Sequence, residues 1–409
     1  MLTVIKKIKP GKWEESKANK AVHSFLKQLA PNLDDLTPEL GGSFAKGTWL
    51  SGDHDIDLFI KFPYERYKHE NLSEILRKKL LNPIILHGSR DYFQLQYKGY
   101  LIELIPVLDI KDSSQAVNVT DVSPLHAKWV KANIHNHNDE VRLAKQFTKA
   151  HALYGAESYI RGFSGYLLEV LTIHYKGFFN LVTAASAWQQ SEVIDPENYY
   201  KNKEEAIRNL NEAKHNHLVV IDPVQQTRNI AAALSGEKYN NFIQLCKRFL
   251  HNPSTAFFER QELSLHSLKA SAGVNHLLYI ELKPLEGKKD IIGCKLLKVF
   301  SFLRAKMEAA GFSIIDSGWE FHEISKSWFI IENHLLSEHR KHYGPLKHDK
   351  ENLNKFITKW HTHELHEEAG RAYIMVKREH RKAEGFVKHL LAQDYCRENY
   401  KKVLKIKVY

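Results

Sequence analysis

Cysteine is scarce in this 409-residue chain: Cys246, Cys294 and Cys396 stand far apart, which excludes a disulfide framework and a cysteine-rich zinc site. Long apolar runs are missing too. No stretch approaches the roughly 18 residues of a membrane-spanning helix, and no apolar signal segment opens the sequence, so no membrane association and a cytoplasmic setting are expected. There is neither an internal repeat nor a low-complexity linker. Acidic residues are the other deficit, 48 Asp+Glu against 59 Lys+Arg, and the resulting formal charge of +11 points to a polyanionic partner. With membranes set aside, nucleic acid is favoured. The length suggests about two to four domains.

Against this background one segment stands out. Gly42-Ser43 is followed twelve residues later by Asp55-Ile56-Asp57, which runs into the apolar Leu58-Phe59-Ile60. On a strand, alternate side chains share a face, so Asp55 and Asp57 project together and can hold divalent cations against a triphosphate. Gly42 permits a turn where the backbone comes close to phosphate, and Ser43 offers a hydroxyl and an N–H. Two bound metals require a third carboxylate, expected on a neighbouring strand. Glu103, inside Leu101-Ile102-Glu103-Leu104-Ile105, is the best candidate, because an acid there is costly to bury without a cation or hydrogen-bond partner. Asp109 competes, but six strand residues place it roughly 20 Å from Glu103.

Periodicity organises the rest. A helix is expected over 13–30, with Trp13, Val22, Phe25, Leu26 and Leu29 as its apolar stripe and Pro31 as its stop. A short helical segment over 43–50, a strand over 55–62, a helix over 70–81 and strands at 92–97 and 100–107, joined at Lys98-Gly99, make a small α/β unit. From His126 the pattern becomes helical, over 141–153, 165–175, an Ala-rich stretch near 182–189, and 229–250 broken around Gly236. A third unit reads β-α-β-β: 276–282, a helix over 294–310 with Leu296, Phe300, Leu303 and Met307 inward, then 312–317 and 327–332. Beyond Gly344-Pro345 a helical hairpin region is expected, ending in a strand over 403–408.

GGSFAKGTWLSGDHDIDLFI at 41–60 resembles the signature of the archaeal-type, class I, CCA-adding enzymes, tRNA nucleotidyltransferases of the polymerase β-like superfamily. SPLHAKWV at 123–130, DEVRLAKQFTKAHALYGAE at 139–157, RGFSGYLLEVLTIHYKGF at 161–178 and DPVQQTRNIAAALS at 222–235 look like the same family's helical domain. GPL at 344–346 and RAYIMVKREHRKAE at 371–384 are similar to its C-terminal segments. The resemblance implies an α+β multidomain fold: a polymerase β-like nucleotidyltransferase head (1–125), a helical neck (126–255), an RRM-like α/β body (256–335) and a C-terminal tRNA-binding tail (336–409).

It also implies an activity: template-independent addition of CMP, CMP and AMP to the tRNA 3′ end from CTP and ATP, with two Mg²⁺ ions and release of pyrophosphate. Asp55, Asp57 and Glu103 would be catalytic and metal-binding. Gly42, Ser43, His126, Lys145, Tyr154 and Arg228 would bind the nucleotide, Arg228 at its base. One departure is evident, since the family's third carboxylate is usually aspartate and this chain has Glu103, longer by roughly 1.5 Å. A relative that adds only C or only A, one that extends other RNA, and an inactive tRNA binder are the competing expectations. The basic runs containing Arg340 and Lys341, and Lys377, Arg378 and Arg381, are candidates for RNA phosphate contact. The resemblance also permits a homodimer.

Overall fold

The computed structural model describes residues 1–210, 216–260 and 264–409, and the chain divides into two units, Met1–Gln261 and Glu262–Tyr409. The first unit opens with the helices Leu2–Ile8 and Lys12–Leu29. Glu14 and Glu15 in the first turn of the longer helix favour its positive end, and Ala18, Ala21, Val22, Phe25 and Leu29 recur at helical spacing as its buried face. Trp13, expected in that stripe, is instead 75% exposed.

That sheet has five strands, β1 (Thr37–Leu40), β2 (Asp55–Pro63), β3 (Ile84–Leu86), β4 (Tyr92–Tyr97) and β5 (Tyr100–Asp109), in the order β1-β2-β5-β4-β3. Ile56, Leu58, Ile60 and Phe62 of β2 point inward, where burying each removes about 1.5–3 kcal/mol of apolar exposure. The β4–β5 hairpin turns at Lys98 and Gly99, whose φ values of 50° and 86° are those of the two-residue turn that matches strand twist. The central pair, β2 and β5, runs parallel, and this sets the alignment of the acidic residues.

Residues 123–251 of the same unit carry the helices Ser123–Asn133, Asn138–Ala150, Gly165–His174, Phe178–Ser186 and Gly236–His251 around a core rich in phenylalanine. The stretch 229–235, expected to be helical, is not. Three short strands, β6 (Glu192–Ile194), β7 (Leu218–Asp222) and β8 (Gln225–Asn229), form a small sheet in the order β6-β7-β8, and the chain then turns into the final helix, capped by Ser235. Leu218-Val219-Val220-Ile221, buried on both faces, is a strand-type run, and its pairing with β8 carries the chain as a strand as far as Asn229.

In the second unit, β9 (His276–Lys283), the helix Lys289–Ala310, β10 (Ile314–Phe321) and β11 (Ser325–Ile331) give the expected β-α-β-β run. The segment beyond Gly344-Pro345, expected as a helical hairpin, instead contributes β13 (Leu365–Glu368) and β14 (Arg371–Lys377), which form an antiparallel sheet with β12 (His339–Leu346) in the order β12-β14-β13. The helix Ala383–Ala392 and the last strand, β15 (Lys402–Val408), then return to the first sheet, whose order is β10-β11-β9-β15 with every pair antiparallel. This is the split β-α-β arrangement of RRM-like domains. Its second helix and fourth strand come from residues expected to belong to a separate tail.

Candidate active site

Parallel pairing of β2 with β5 puts Asp57 directly beside Glu103, and Asp55 beside Leu101. Asp57 and Glu103 are therefore neighbours across roughly 4.8 Å of sheet, and Asp55 stands on the same face two residues earlier. Each carboxyl is held above its ordinary value. Burial does this first for all three, with Asp53 adding to it at Asp55, Asp55 at Asp57, and both Asp57 and Asp55 at Glu103. Lys46 opposes the shift at Asp57, as the hydrogen bond from Gln94 does at Glu103. Such mutual repulsion between acids that share one face is the condition a bound cation relieves. Among the described residues neither Asp55 nor Asp57 accepts a side-chain hydrogen bond or forms an ion pair, so their oxygens are available as ligands.

No three His, Cys, Asp or Glu side chains among the described residues close on one point tightly enough to cage an ion by themselves. Asp109 is drawn off by Lys61, whose Nζ lies 2.6 Å from its Oδ1, at the far end of β5. The longer side chain of Glu103 is restrained from β4: Gln94, its register partner, donates to Oε1 at 2.5 Å.

Gly42 has a specific reason to be glycine. Its φ is +57°, and a Cβ placed on it would sit 1.5 Å from Asp57 Oδ2, so the carboxylate rests directly against the glycine backbone. Ser43 follows within the one-turn helix Gly42–Ala45, half-buried. The next segment is clamped to the helix Asn138–Ala150: Arg142 donates to the carbonyls of Gly47 (2.7 Å) and Trp49 (2.9 Å), and Asn138 to that of Lys46 (3.0 Å).

Lys145 lies in this clamp and is only 3% exposed. Its Nζ contacts Thr48 Oγ1 at 3.0 Å and Glu169 Oε1 at 2.9 Å, while Lys46 Nζ reaches Glu169 Oε2 at 2.6 Å. Burial would raise the Glu169 carboxyl, but the two ammonium groups outweigh it and hold the group at about 2. Two lysines on one carboxylate leave a net positive charge beside Asp57. Tyr154 converges there: a Cβ on Gly165 would lie 3.0 Å from its phenol oxygen and 3.8 Å from Lys145 Nζ.

A second cluster gathers around Asp222 at the end of β7. Its carboxylate is fully buried and meets His126 Nε2 (2.9 Å), Arg228 Nη1 (3.0 Å), the Tyr166 hydroxyl (3.1 Å) and the Val224 N–H (3.1 Å). Burial draws the His126 pKa down against the pull of Asp222, with Arg228 assisting. The rings of His126 and Tyr166 lie 4.2 Å apart, and Lys46 Nζ lies 6.0 Å from the Tyr166 ring, so the tyrosine joins the two clusters.

The first unit thus brings together Asp55, Asp57, Glu103 and Gly42; Lys145 with Tyr154; and His126 with Arg228. Lys46, Thr48, Tyr166, Glu169 and Asp222 were not foreseen. Glu169 and Asp222 carried the signal that identified Glu103, a lone acid in an apolar run: Tyr166-Leu167-Leu168-Glu169-Val170-Leu171 and Leu218-Val219-Val220-Ile221-Asp222.

The five basic candidates of the second unit are mostly engaged within it. Lys341 pairs with Glu368 at 2.6 Å and Lys377 with Glu338 at 3.3 Å. Arg378 donates to the Ala310 carbonyl at 2.6 Å and Arg381 to that of Leu336 at 3.0 Å. The Arg340 side chain has no hydrogen bond or ion pair among the described residues. In the described residues no helix is long and apolar enough to cross a membrane.

Three family models match the chain: a nucleotidyltransferase domain over 20–116, the second domain of tRNA nucleotidyltransferase over 139–259, and the C-terminal domain of CCA-adding enzyme over 280–400. The CCA-adding enzyme of Nanoarchaeum equitans is 35% identical over 381 residues, covering 90% of this chain and 91% of its own. That of Pyrococcus abyssi is 36% identical over 337 residues, 78% of this chain and 75% of its own. Among solved structures, the Cid1 poly(U) polymerase bound to MgATP aligns with a TM-score of 0.50 at 13% identity, over 64% of this chain and 97% of that one, a likeness of fold.

Proposed function

Given that this chain belongs to the archaeal CCA-adding enzymes, tRNA nucleotidyltransferases that build the CCA end without a template, we propose that Asp55, Asp57 and Glu103 are the acids that hold its catalytic metals. The observation that carries this assignment is the in-register pairing of Asp57 with Glu103, with Asp55 on the same face. Nucleotidyltransferases of this superfamily use divalent ions, and Mg²⁺ fits three carboxylate groups that await phosphate oxygens. Held by Asp55, Asp57 and Glu103, divalent metal would lower the pKa of the attacking 3′-hydroxyl and offset charge on the leaving pyrophosphate.

The protein's own groups do the rest. Asp57, wedged against Gly42, fixes the depth at which the acids meet the nucleotide. Lys46, Lys145 and Tyr154 supply positive charge and a hydroxyl to the triphosphate, and Ser43 adds a hydroxyl from the adjoining turn. His126 meets the sugar and Arg228 the base, whose ring acceptors suit guanidinium N–H donors. tRNA, CTP and ATP are the substrates, Arg340 of β12 offers an unengaged charge to RNA phosphate, and the setting is the cytoplasm.

Full CCA addition is favoured over a partial or altered activity because relatives matched over most of the chain are CCA-adding enzymes and the C-terminal domain of that family matches residues 280–400. The test is extension of a tRNA ending at the discriminator base with CTP, ATP, UTP or GTP supplied singly and together. Two C residues with CTP alone, and a terminal A only when ATP is added, is the expected result. Addition of a single type of nucleotide, or of U or G at comparable rates, overturns it.

A further inference from the structure

We propose that Asp222 is a positioning residue for base selection, a buried carboxylate that sets the direction of Arg228 and so decides which bases the guanidinium accepts. This rests on the reading of Arg228 as the residue that meets the incoming base. Asp222 is fully buried while the Arg228 side chain keeps 30% exposure, so the carboxylate anchors one end of a group whose other donors stay available. One oxygen, Oδ2, takes both Arg228 Nη1 (3.0 Å) and His126 Nε2 (2.9 Å). The other, Oδ1, takes the Tyr166 hydroxyl and the Val224 N–H, each at 3.1 Å. Arg228, Tyr166 and the Val224 N–H, joined by His126 when its Nε2 carries the proton, leave the carboxylate little freedom to rotate, and its orientation passes to the arginine.

The contact between His126 and Arg228 supports the same conclusion. Their nitrogens lie 3.2 Å apart, and guanidinium cannot accept a hydrogen bond. If Nε2 carries its proton it donates to Asp222 and only crowds Nη1. If Nε2 is bare it accepts from Nη1 but faces Oδ2 with a lone pair. In both states Arg228 Nη1 stays on the Asp222 carboxylate, and without that negative charge the arginine loses its fixed end. The placement of Asp222 adds a structural reason for this role: β7 and β8 are consecutive strands joined at Pro223-Val224, and the register irregularity between Ile221–Asn229 and Asp222–Gln225 puts Arg228 in the bulged stretch of the same hairpin as the acid.

The test measures kcat and KM for CTP and UTP on tRNA lacking its CCA end, with the full-length protein carrying Asp222→Asn, Tyr166→Phe, Arg228→Ala, or Asp222→Asn together with Arg228→Ala. Arg228→Ala is the control for the underlying reading. If it leaves the CTP-over-UTP ratio of kcat/KM unchanged, base contact by Arg228 is refuted. If it lowers the ratio, Asp222→Asn is expected to lower it about tenfold, the loss of one charge-assisted contact, mainly through KM. In the Arg228→Ala background Asp222→Asn is expected to change the ratio no further. A purely structural role for Asp222 predicts lower thermal stability with an unchanged ratio, and that result overturns the proposal. Should Asp222→Asn fail to fold, Tyr166→Phe decides: a smaller fall in the same ratio supports the role, and no change refutes it.

Discussion

Replacing Gly42 by alanine introduces two faults, and only one of them bears on catalysis. The first is conformational: a φ of +57° costs an L-residue about 1–2 kcal/mol. The second is a collision, because the new methyl would stand 1.5 Å from Asp57 Oδ2, and ordinary contact lies near 3.5 Å. The carboxylate must therefore retreat by roughly 2 Å, where a displacement of about 1 Å is enough to cost about a hundredfold in rate. Gly99→Ala separates the two faults, since Gly99 has φ +86° in the same sheet and open space within 4 Å of its Cβ position. Gly99→Ala should lose about 1–2 kcal/mol in denaturant unfolding, and Gly42→Ala at least as much because the collision adds to the strain. In CMP addition at saturating CTP and tRNA, Gly42→Ala should fall by about a hundredfold or more, while Gly99→Ala stays within about twofold of wild type. Equal activities in the two variants would refute the claim that Gly42 makes room for a catalytic acid.

Two further outcomes follow from the charged groups. Asp57 has a folded pKa raised above 3.8, so its ionisation opposes folding; Asp57→Asn should raise Tm in metal-free buffer at neutral pH, and the gain should shrink as pH falls through the raised value and vanish below 3.8. Thermal melts of both proteins in EDTA across that range check this, and a variant less stable than wild type at neutral pH contradicts it. Glu169 has the opposite sign: depressed from 4.5 to about 2, it adds stability above pH 4.5 that is lost as pH falls toward 2. Glu169→Gln leaves two lysines without their buried partner and should cost about 3–5 kcal/mol at neutral pH by denaturant titration, and a loss under about 1 kcal/mol would contradict the account.

How much of this was legible in the sequence depends on the range of the interaction concerned. Alternation along β2 and the Lys98-Gly99 turn are local patterns, and together they placed Asp55, Asp57 and Glu103 on one sheet. Helical spacing also identified the inward face of Lys289–Ala310, where Leu296, Phe300, Leu303 and Met307 are buried. Local pattern failed where tertiary pairing chose the conformation. Charged β12 and β14 look like solvated helix faces until each becomes the other's hydrogen-bonding partner, and the residues after Asn229 follow a hairpin rather than their own helical propensity. The partnership of Glu169 with Lys46 and Thr48 spans more than 120 residues, so only its isolation among apolar neighbours betrayed it.

The most direct measurement is anomalous scattering from crystals of the protein grown with Mn²⁺ and a non-hydrolysable CTP analogue. Manganese peaks about 2.1–2.2 Å from carboxylate oxygens of Asp55, Asp57 and Glu103, bridging to the triphosphate, are the predicted result. Manganese held without Glu103, or phosphates seated away from the β2–β5 pair, would contradict the assignment.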